Sequence, residues 1–153
     1  MSGQQLTASA VISFAERLED ASSAFYEALG ARFARNRETF AGFAAQGKKN
    51  KMLVTRTYQE TISDALEACF AFEGLDLAEY EVTPTLPEDA SYPQALEAAI
   101  ALEEKAIGFY QEVAERSGAL LATIPRAFRR VARVRSKRVL ELESFHGEAV
   151  NGG

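Results

Sequence analysis

Apolar side chains recur every three or four positions along four stretches of this chain, which is the period of an α-helix with one buried face. The stretches cover residues 7–35, 38–74, 93–117 and 125–145. In the first stretch, the repeating face consists of Ile12, Ala15, Leu18, Ser22, Phe25 and Leu29. The second stretch is long enough that a kink near residues 61–64 stays open. Strand-like alternation is absent from the sequence, so the pattern predicts an all-α protein.

Glycine and proline indicate where the predicted helices end and how they are joined. Gly74 and Gly118 are suited to stop the second and third helices, and Pro125 to open the fourth. Residues 75–93 hold three of the four prolines and few helical signals, which predicts one long connection between the second and third helices. The other connections are short. This order is typical of a four-helix bundle with one crossover connection.

Length and composition limit the kind of protein this is. We expect one domain over residues 1–146, followed by a C-terminal tail, residues 147–153, that frays. No stretch approaches the roughly 20 apolar residues of a membrane helix, so we expect no membrane contact. The net charge of −5 gives no general attraction to nucleic acid. A single cysteine, Cys69, cannot form an internal disulfide and favours a cytoplasmic location.

An internal repeat relates the two halves of the predicted bundle. The matching positions are Leu18-Glu19 with Leu102-Glu103 and Phe25-Tyr26 with Phe109-Tyr110. A repeat of this kind fits a bundle made of two related hairpins. Glu19 and Glu103 therefore take the same place on the first and third helices, each inside an apolar face.

Charged and small residues interrupt the apolar faces where the four helices should meet. On the first and third helices the interruptions are the two glutamates of the repeat. On the fourth helix they are arginines, and on the second they are a glycine and an asparagine. These central positions are Glu19, Gly47, Asn50, Glu103, Arg135 and Arg138.

The segments around Glu19-to-Tyr26 and Glu103-to-Tyr110 resemble helices one and three of the rubrerythrin-like branch of the ferritin-like superfamily. Residues 40–44 and 128–132 are similar to the segments that precede a Glu-x-x-His pair on helices two and four of that family. The resemblance covers nearly the whole chain and implies a ferritin-like four-helix bundle with one long crossover connection. In that family, the two glutamates and the two Glu-x-x-His pairs bind a di-iron centre.

The chain departs from the family pattern at both Glu-x-x-His pairs. Gly47 and Asn50 stand there on the second helix, and Arg135 and Arg138 on the fourth. A guanidinium group stays charged and cannot bind a metal ion, and the lone histidine, His146, follows too far along the fourth helix. Two arginines and two glutamates balance in charge, as burial requires. We therefore expect Glu–Arg ion pairs at the centre, with no metal and no cofactor.

Tyr26 and Tyr110 each follow a central glutamate by seven positions, or about two helical turns. Two interpretations stay open for these residues. The hydroxyl groups could hydrogen-bond the central carboxylates, or the rings could pack on the core with their hydroxyls at its edge.

Three functions remain open on these residues. The leading hypothesis is a non-catalytic relative of rubrerythrin-like proteins, a helical binding or structural module rather than an enzyme. The second is a metal-dependent redox protein or peroxidase with a residual metal held by the two glutamates. The third is a small-anion binding module, in which Arg135, Arg138 and Asn50 hold a carboxylate or phosphate in the space left at Gly47.

Two further surfaces bear on partners. Apolar residues near the end of the second helix, Phe70, Phe72 and Leu75, could extend past the bundle and seed a homodimer. The fourth helix carries a basic run whose outward members we expect to pair with acids on neighbouring helices. No aromatic residues are interleaved with this run, which argues against nucleic-acid binding. The outward members are Arg126, Arg129, Arg130, Arg133 and Lys137.

Overall fold

Four α-helices account for most of the described chain. The computed structural model describes residues 6–61, 72, 74–82, 84–117 and 123–151. The helices are α1 (Ala8–Arg32), α2 (Arg37–Thr61), α3 (Tyr92–Ser117) and α4 (Thr123–Asn151), with a 3₁₀ turn at Leu77–Tyr80. Those ranges contain no strand, and an isolated β-bridge joins Leu6 to Phe72. The prediction of an all-α protein with four helices is confirmed.

Local sequence explains why three of the helices begin where they do. The Thr7 hydroxyl accepts a hydrogen bond of 3.1 Å from the Ala10 amide and caps α1. Asn36, with a positive φ of 61°, makes the tight turn that separates α1 from α2. Ser91 and Gln94 cap α3 reciprocally, because each side chain accepts a hydrogen bond from the backbone amide of the other.

The C-terminal end of α4 differs from the prediction. We expected a frayed tail from Gly147, but the helix continues to Asn151. Glycine in a helix costs only about 1 kcal/mol relative to alanine, and Ala149 packs partly against the core beyond it. That contact gives the last turn a tertiary partner. The predicted continuation of the second helix over residues 62–71, which includes Cys69, lies outside the described residues, as does all but the first residue of the possible kink at 61–64.

The helices pack as two antiparallel pairs that face each other. The Ser23 hydroxyl donates to the Ala44 carbonyl at 2.8 Å, and Lys51 pairs with Asp20, so α1 and α2 run in opposite directions. α3 and α4 are also antiparallel, because the ring of Tyr110 packs on Phe128 while Glu103 binds Arg135. A smaller contact joins α2 to α4. The core between the pairs is aromatic, and its largest fully buried rings are Tyr26, Phe40, Phe109, Tyr110 and Phe128. These contacts make a four-helix bundle.

The segment before α3 lies along the outside of this bundle. The Tyr80 hydroxyl donates to Glu112 on α3, and the Tyr80 ring lies 6.0 Å from that of Phe109. Further along, the Arg32 guanidinium donates to the Ala90 carbonyl at 3.3 Å. No helix in the described part of the chain is both long and apolar enough to cross a membrane.

The proposed dimer surface near the end of α2 has a different place in the structure. Phe72 and Leu75 are 3% and 6% exposed and belong to the core of the chain itself. The Phe72 amide donates to the Leu6 carbonyl at 2.8 Å, which holds the segment against the start of α1. The expectation that these two residues seed a homodimer is therefore wrong. Phe70 lies outside the described residues.

Candidate functional site

The inward faces of α1, α3 and α4 bring four charged side chains to the centre of the bundle. Glu19, Glu103, Arg135 and Arg138 are each at most 1% exposed. We call these four residues the central charge cluster. Each stands where the helical period places a core residue, so burial of the charges follows from their position in the sequence.

Arg135 joins the two glutamates. All three of its guanidinium nitrogens donate to them, with Nη1 at 2.6 Å from Glu103 Oε1 and Nη2 at 2.8 Å from Glu19 Oε1. The third, Nε, lies 3.3 Å from Glu19 Oε2. The planar fork of arginine thus binds one carboxylate through two nitrogens and another through the third.

Arg138 completes the cluster from one turn further along α4. Its Nη1 lies 3.1 Å from Glu103 Oε2, and its Nη2 donates to the Gln46 side chain and the Phe43 carbonyl on α2. The guanidinium carbon also lies 5.0 Å and 5.5 Å from the ring centroids of Phe43 and Tyr26. Such contacts favour a cation over an apolar residue at this position.

The two central tyrosines hydrogen-bond the glutamates in a reciprocal way. Tyr26 on α1 donates to Glu103 Oε2 on α3 at 2.5 Å, and Tyr110 on α3 donates to Glu19 Oε2 on α1 at 2.5 Å. The internal repeat matches the two tyrosines with each other and the two glutamates with each other. Each hairpin therefore supplies the acid that the other hairpin's tyrosine binds.

Burial and the neighbouring charges oppose each other at Glu103. Burial alone would raise the pKa of this carboxyl. The positive charges of Arg135 and Arg138, together with the hydrogen bond from Tyr26, outweigh burial and hold the pKa of Glu103 below its ordinary value. Glu103 is therefore a carboxylate at neutral pH, although it has no contact with water.

Arg135, Tyr26 and Tyr110 are each held in a single protonation state near neutral pH. Burial would lower the pKa of Arg135, but Glu103 and Glu19 raise it well above its usual value. Burial, reinforced by the adjacent carboxylates, raises the pKa of Tyr26 and of Tyr110 well above the ordinary range. None of these groups is set to exchange a proton near neutral pH, which general acid–base catalysis would require.

Gly47 lets α1 and α2 approach closely and does not open a pocket. A Cβ atom at Gly47 would overlap the Ser23 hydroxyl and lie 3.5 Å from Glu19 Oε1. Asn50, one turn further on, has its amide 3.4 Å from the same oxygen. The space that we expected to receive a small anion is therefore filled by Ser23.

The residues at the centre do not fit a metal ion of the kind that the family resemblance implies. Arg135 binds both oxygens of Glu19, and Arg135 and Arg138 bind the two oxygens of Glu103. Across the described ranges, no group of three or more His, Cys, Asp or Glu residues is placed to hold a metal. His146 lies far from the centre and contacts Glu97 at 2.9 Å.

Comparison of the chain with protein-family models, with curated proteins and with solved structures gives no match.

The outward basic residues of α4 do not form the ion pairs with acids on neighbouring helices that we expected. In the part of the chain that the structure describes, these five cations form no ion pair with a neighbouring acid. They are the five outward members named above, Arg126, Arg129, Arg130, Arg133 and Lys137. Sequence analysis also missed Gln46, whose side chain accepts from Arg138. The position of Gln46 in the sequence, next to Gly47, does not indicate that its side chain faces an arginine of α4.

Proposed function

We propose that this chain is a non-catalytic, rubrerythrin-related protein of the ferritin-like class, a helical binding or structural module with Glu–Arg ion pairs in place of a di-iron centre. The observation that carries the proposal is Arg135, a buried guanidinium that binds both glutamates at once. At the position where a ligand-bearing family member has a carboxylate, this chain has a fixed positive charge. That charge supplies what the iron would supply electrostatically, and it leaves no ligand position open.

The ends of the helices support the ferritin-like plan with one long crossover connection. The Thr61 and Thr123 hydroxyls lie 2.5 Å apart, so α2 ends where α4 begins. The Tyr92 hydroxyl donates to the Asn36 side chain at 2.6 Å, so α3 begins where α2 begins. This placement of the helix ends supports a connection that returns along the bundle, as in that class of fold.

A homodimer and a cytoplasmic location remain part of the proposal on sequence grounds alone. Ferritin-like proteins commonly pair, but Phe72 and Leu75 do not provide the surface. Multi-angle light scattering on the purified chain would measure its mass directly. A strictly monomeric protein at all concentrations would remove the dimer from the proposal and leave the ion-paired centre untouched.

Elemental analysis tests the central claim. Protein purified without chelator or added metal should contain far less than one iron or manganese ion per chain, and its thermal unfolding should not change when a chelator is added. Two ions per chain would overturn the proposal and favour the rival, a metal-dependent redox protein or peroxidase. In that case, oxidase or peroxidase activity should disappear in Glu19→Ala.

A further inference from the structure

A groove between α2 and α4 lies on the surface of the bundle, outside the central charge cluster. Two adjoining cavities form it, with volumes of about 710 and 410 Å³. They share Leu53 from α2 and both Arg130 and Val134 from α4. We call this surface, between residues 46–61 and 123–137, the α2–α4 groove. Each of the two volumes lies in the range of sites that enclose small molecules, roughly 300–1,000 Å³.

The floor of the α2–α4 groove is aliphatic. Leu53, Ala127 and Val134 form it, and Met52, 58% exposed, borders the smaller cavity. Among the described residues that line the two cavities, none is aromatic. A planar ring such as a nucleobase would therefore find no aromatic side chain to stack on, whereas an alkyl chain would find methyl groups along the groove.

The rim of the α2–α4 groove is strongly basic. Six cations line the two cavities, against a single acid, Glu60. Within the described ranges, none of the six takes part in an ion pair. The six are Lys49, Arg56, Arg126, Arg130, Arg133 and Lys137. Because the whole chain carries a net charge of −5, this concentration of positive charge is local.

We propose that the α2–α4 groove binds an aliphatic molecule with an anionic head group, such as an alkyl phosphate or a fatty carboxylate. The chain of the ligand lies over Leu53 and Val134, and its head lies among Arg130, Arg133 and Lys137. Guanidinium groups bind phosphate and carboxylate oxygens in pairs, which suits a doubly charged head best. The arginines of the central charge cluster already bind glutamates, so they are not available to an anion at Gly47. The cations of the α2–α4 groove have no such partners among the described residues.

Isothermal titration calorimetry of the full chain with decyl phosphate, kept below its micelle-forming concentration, tests the proposal. We expect saturable binding of one molecule per chain. Inorganic phosphate shares only the head, and decyl maltoside shares only the alkyl chain. Each should bind at least about tenfold more weakly than decyl phosphate, since each loses one half of the contacts. Decanoate, with a singly charged head, should bind with intermediate affinity.

A matched pair of substitutions locates the site. Arg130 and its neighbour Arg129 are both exposed cations of α4, but Arg129 lines a separate cavity with Gln111 and Glu115. We expect Arg130→Gln to weaken decyl phosphate binding by about tenfold and Arg129→Gln by less than about twofold. Thermal unfolding should be equal in the two variants, because neither side chain is buried.

Several results would overturn the proposal. Equal affinity for phosphate and decyl phosphate would make the groove a simple anion site, and equal losses in the two variants would indicate unspecific attraction. Anionic vesicles or single-stranded RNA could also bind in a manner sensitive to Arg130→Gln. If decyl phosphate does not compete with them, the groove is a surface for a membrane or a nucleic acid instead.

Discussion

The side chains of the central charge cluster depend on one another, because each charge there is neutralised only by its neighbours. Arg135 is the cation that binds Glu19, and it shares Glu103 with Arg138. A buried set of this kind adds little net stability over apolar residues of equal volume, since every charge loses its hydration on folding. Removing one member has a larger effect, because the others remain buried without compensation.

We expect Arg135→Met to lower the free energy of unfolding at pH 7 by about 3–5 kcal/mol, because Glu19 is left buried without a cation. Urea denaturation followed by circular dichroism measures the change. Arg129→Met is the matched control, since Arg129 is exposed on the same helix, and it should change stability by about 0.5 kcal/mol or less. Similar losses in both variants would show that the central ion pairs have no special weight.

The wild type and Arg135→Met should also differ in how the free energy of unfolding depends on pH. In the wild type, the lowered pKa of Glu103 means that its ion pairs stabilise the fold above the unfolded value of about 4.3. That stability is lost as the pH falls below this value. In Arg135→Met, Glu103 loses the larger of the two positive-charge effects that oppose burial, so its pKa rises and the variant loses less stability than the wild type on acidification.

Urea unfolding at pH 7, 5 and 4 should therefore show that the difference in unfolding free energy between wild type and Arg135→Met narrows as the pH falls. A difference of constant size would mean that the protonation of Glu103 does not depend on the charge of Arg135. Glu97 is mostly exposed and lies away from the centre, so Glu97→Gln provides a control whose gap to the wild type should stay small at each pH.

The sequence predicted which charged residues lie at the centre of the bundle, because helical periodicity determines which side chains face inward. Glu19, Glu103, Arg135 and Arg138 repeat with the apolar residues of their helices, so their inward direction follows from sequence. The hydrogen bonds of Tyr26 do not follow, because they depend on how far α1 and α3 are shifted along each other. Helix propensity and spacing carry no information about that shift.

At the scale of helices, the close approach of α1 and α2 at Gly47 shapes the centre of the bundle. Gly47 and Arg135 stand at corresponding positions on α2 and α4, because each follows the first phenylalanine of its similar segment, Phe40 or Phe128, by seven residues. One side chain of the size of Arg135 fills the space between the pairs, and a second at Gly47 would have no room beside Ser23. The unequal pair of residues is therefore a packing solution, in which α4 supplies the volume that α2 lacks.

We expect Gly47→Ala to destabilise the protein by about 1–3 kcal/mol, because its Cβ would overlap the Ser23 hydroxyl and force the helices apart. Gly42→Ala is the matched control. Gly42 lies on the same helix with no atom within 4 Å of an added Cβ, so that change should stabilise by up to about 1 kcal/mol. Both values can be measured by urea denaturation.

A double substitution separates the steric explanation from a general loss of helix packing. Ser23→Ala removes the hydroxyl that an added Cβ would meet, at the loss of the 2.8 Å hydrogen bond to Ala44. The combination with Gly47→Ala should then cost less than the sum of the two single changes. Strict additivity would indicate that the two residues do not compete for the same space.

The helix boundaries show what sequence does and does not determine. Thr7, Ser91 and Gln94 carry capping chemistry, and the starts of α1 and α3 fall within a few residues of their predicted positions. The predicted end of α4 at Gly147 was wrong, because it relied on the low helix propensity of glycine alone. The contact of Ala149 with the core, which no local rule contains, keeps the last turn helical.

At the scale of the whole molecule, the polar network at the centre contacts each of the four described helices. Arg138 on α4 binds Glu103 on α3 and both Gln46 and Phe43 on α2. Tyr26 joins α1 to the same glutamate. A network of this kind couples the two hairpins directly, so that loss of one contact should be felt across the bundle.

We therefore expect Arg138→Met to lower hydrogen-exchange protection in α1, α2, α3 and α4 together. The measurement is native-state exchange read by mass spectrometry. The control is Lys51→Met, which removes an exposed ion pair between α1 and α2 and should leave protection almost unchanged. Protection lost in α3 and α4 but retained in α1 and α2 would show that the hairpins open independently.

The buried charges are divided unequally between the two hairpins, and this determines which hairpins can pack together. The first hairpin brings one buried negative charge to the centre, Glu19, and the second brings a net positive charge, Glu103 with two arginines. Two copies of the first would bury two carboxylates with no cation, and two copies of the second would bury four guanidiniums against two carboxylates. Although the halves are related by their repeat, each can be neutralised only by the other. The buried charges therefore favour packing of the first hairpin against the second over packing of either hairpin against a copy of itself.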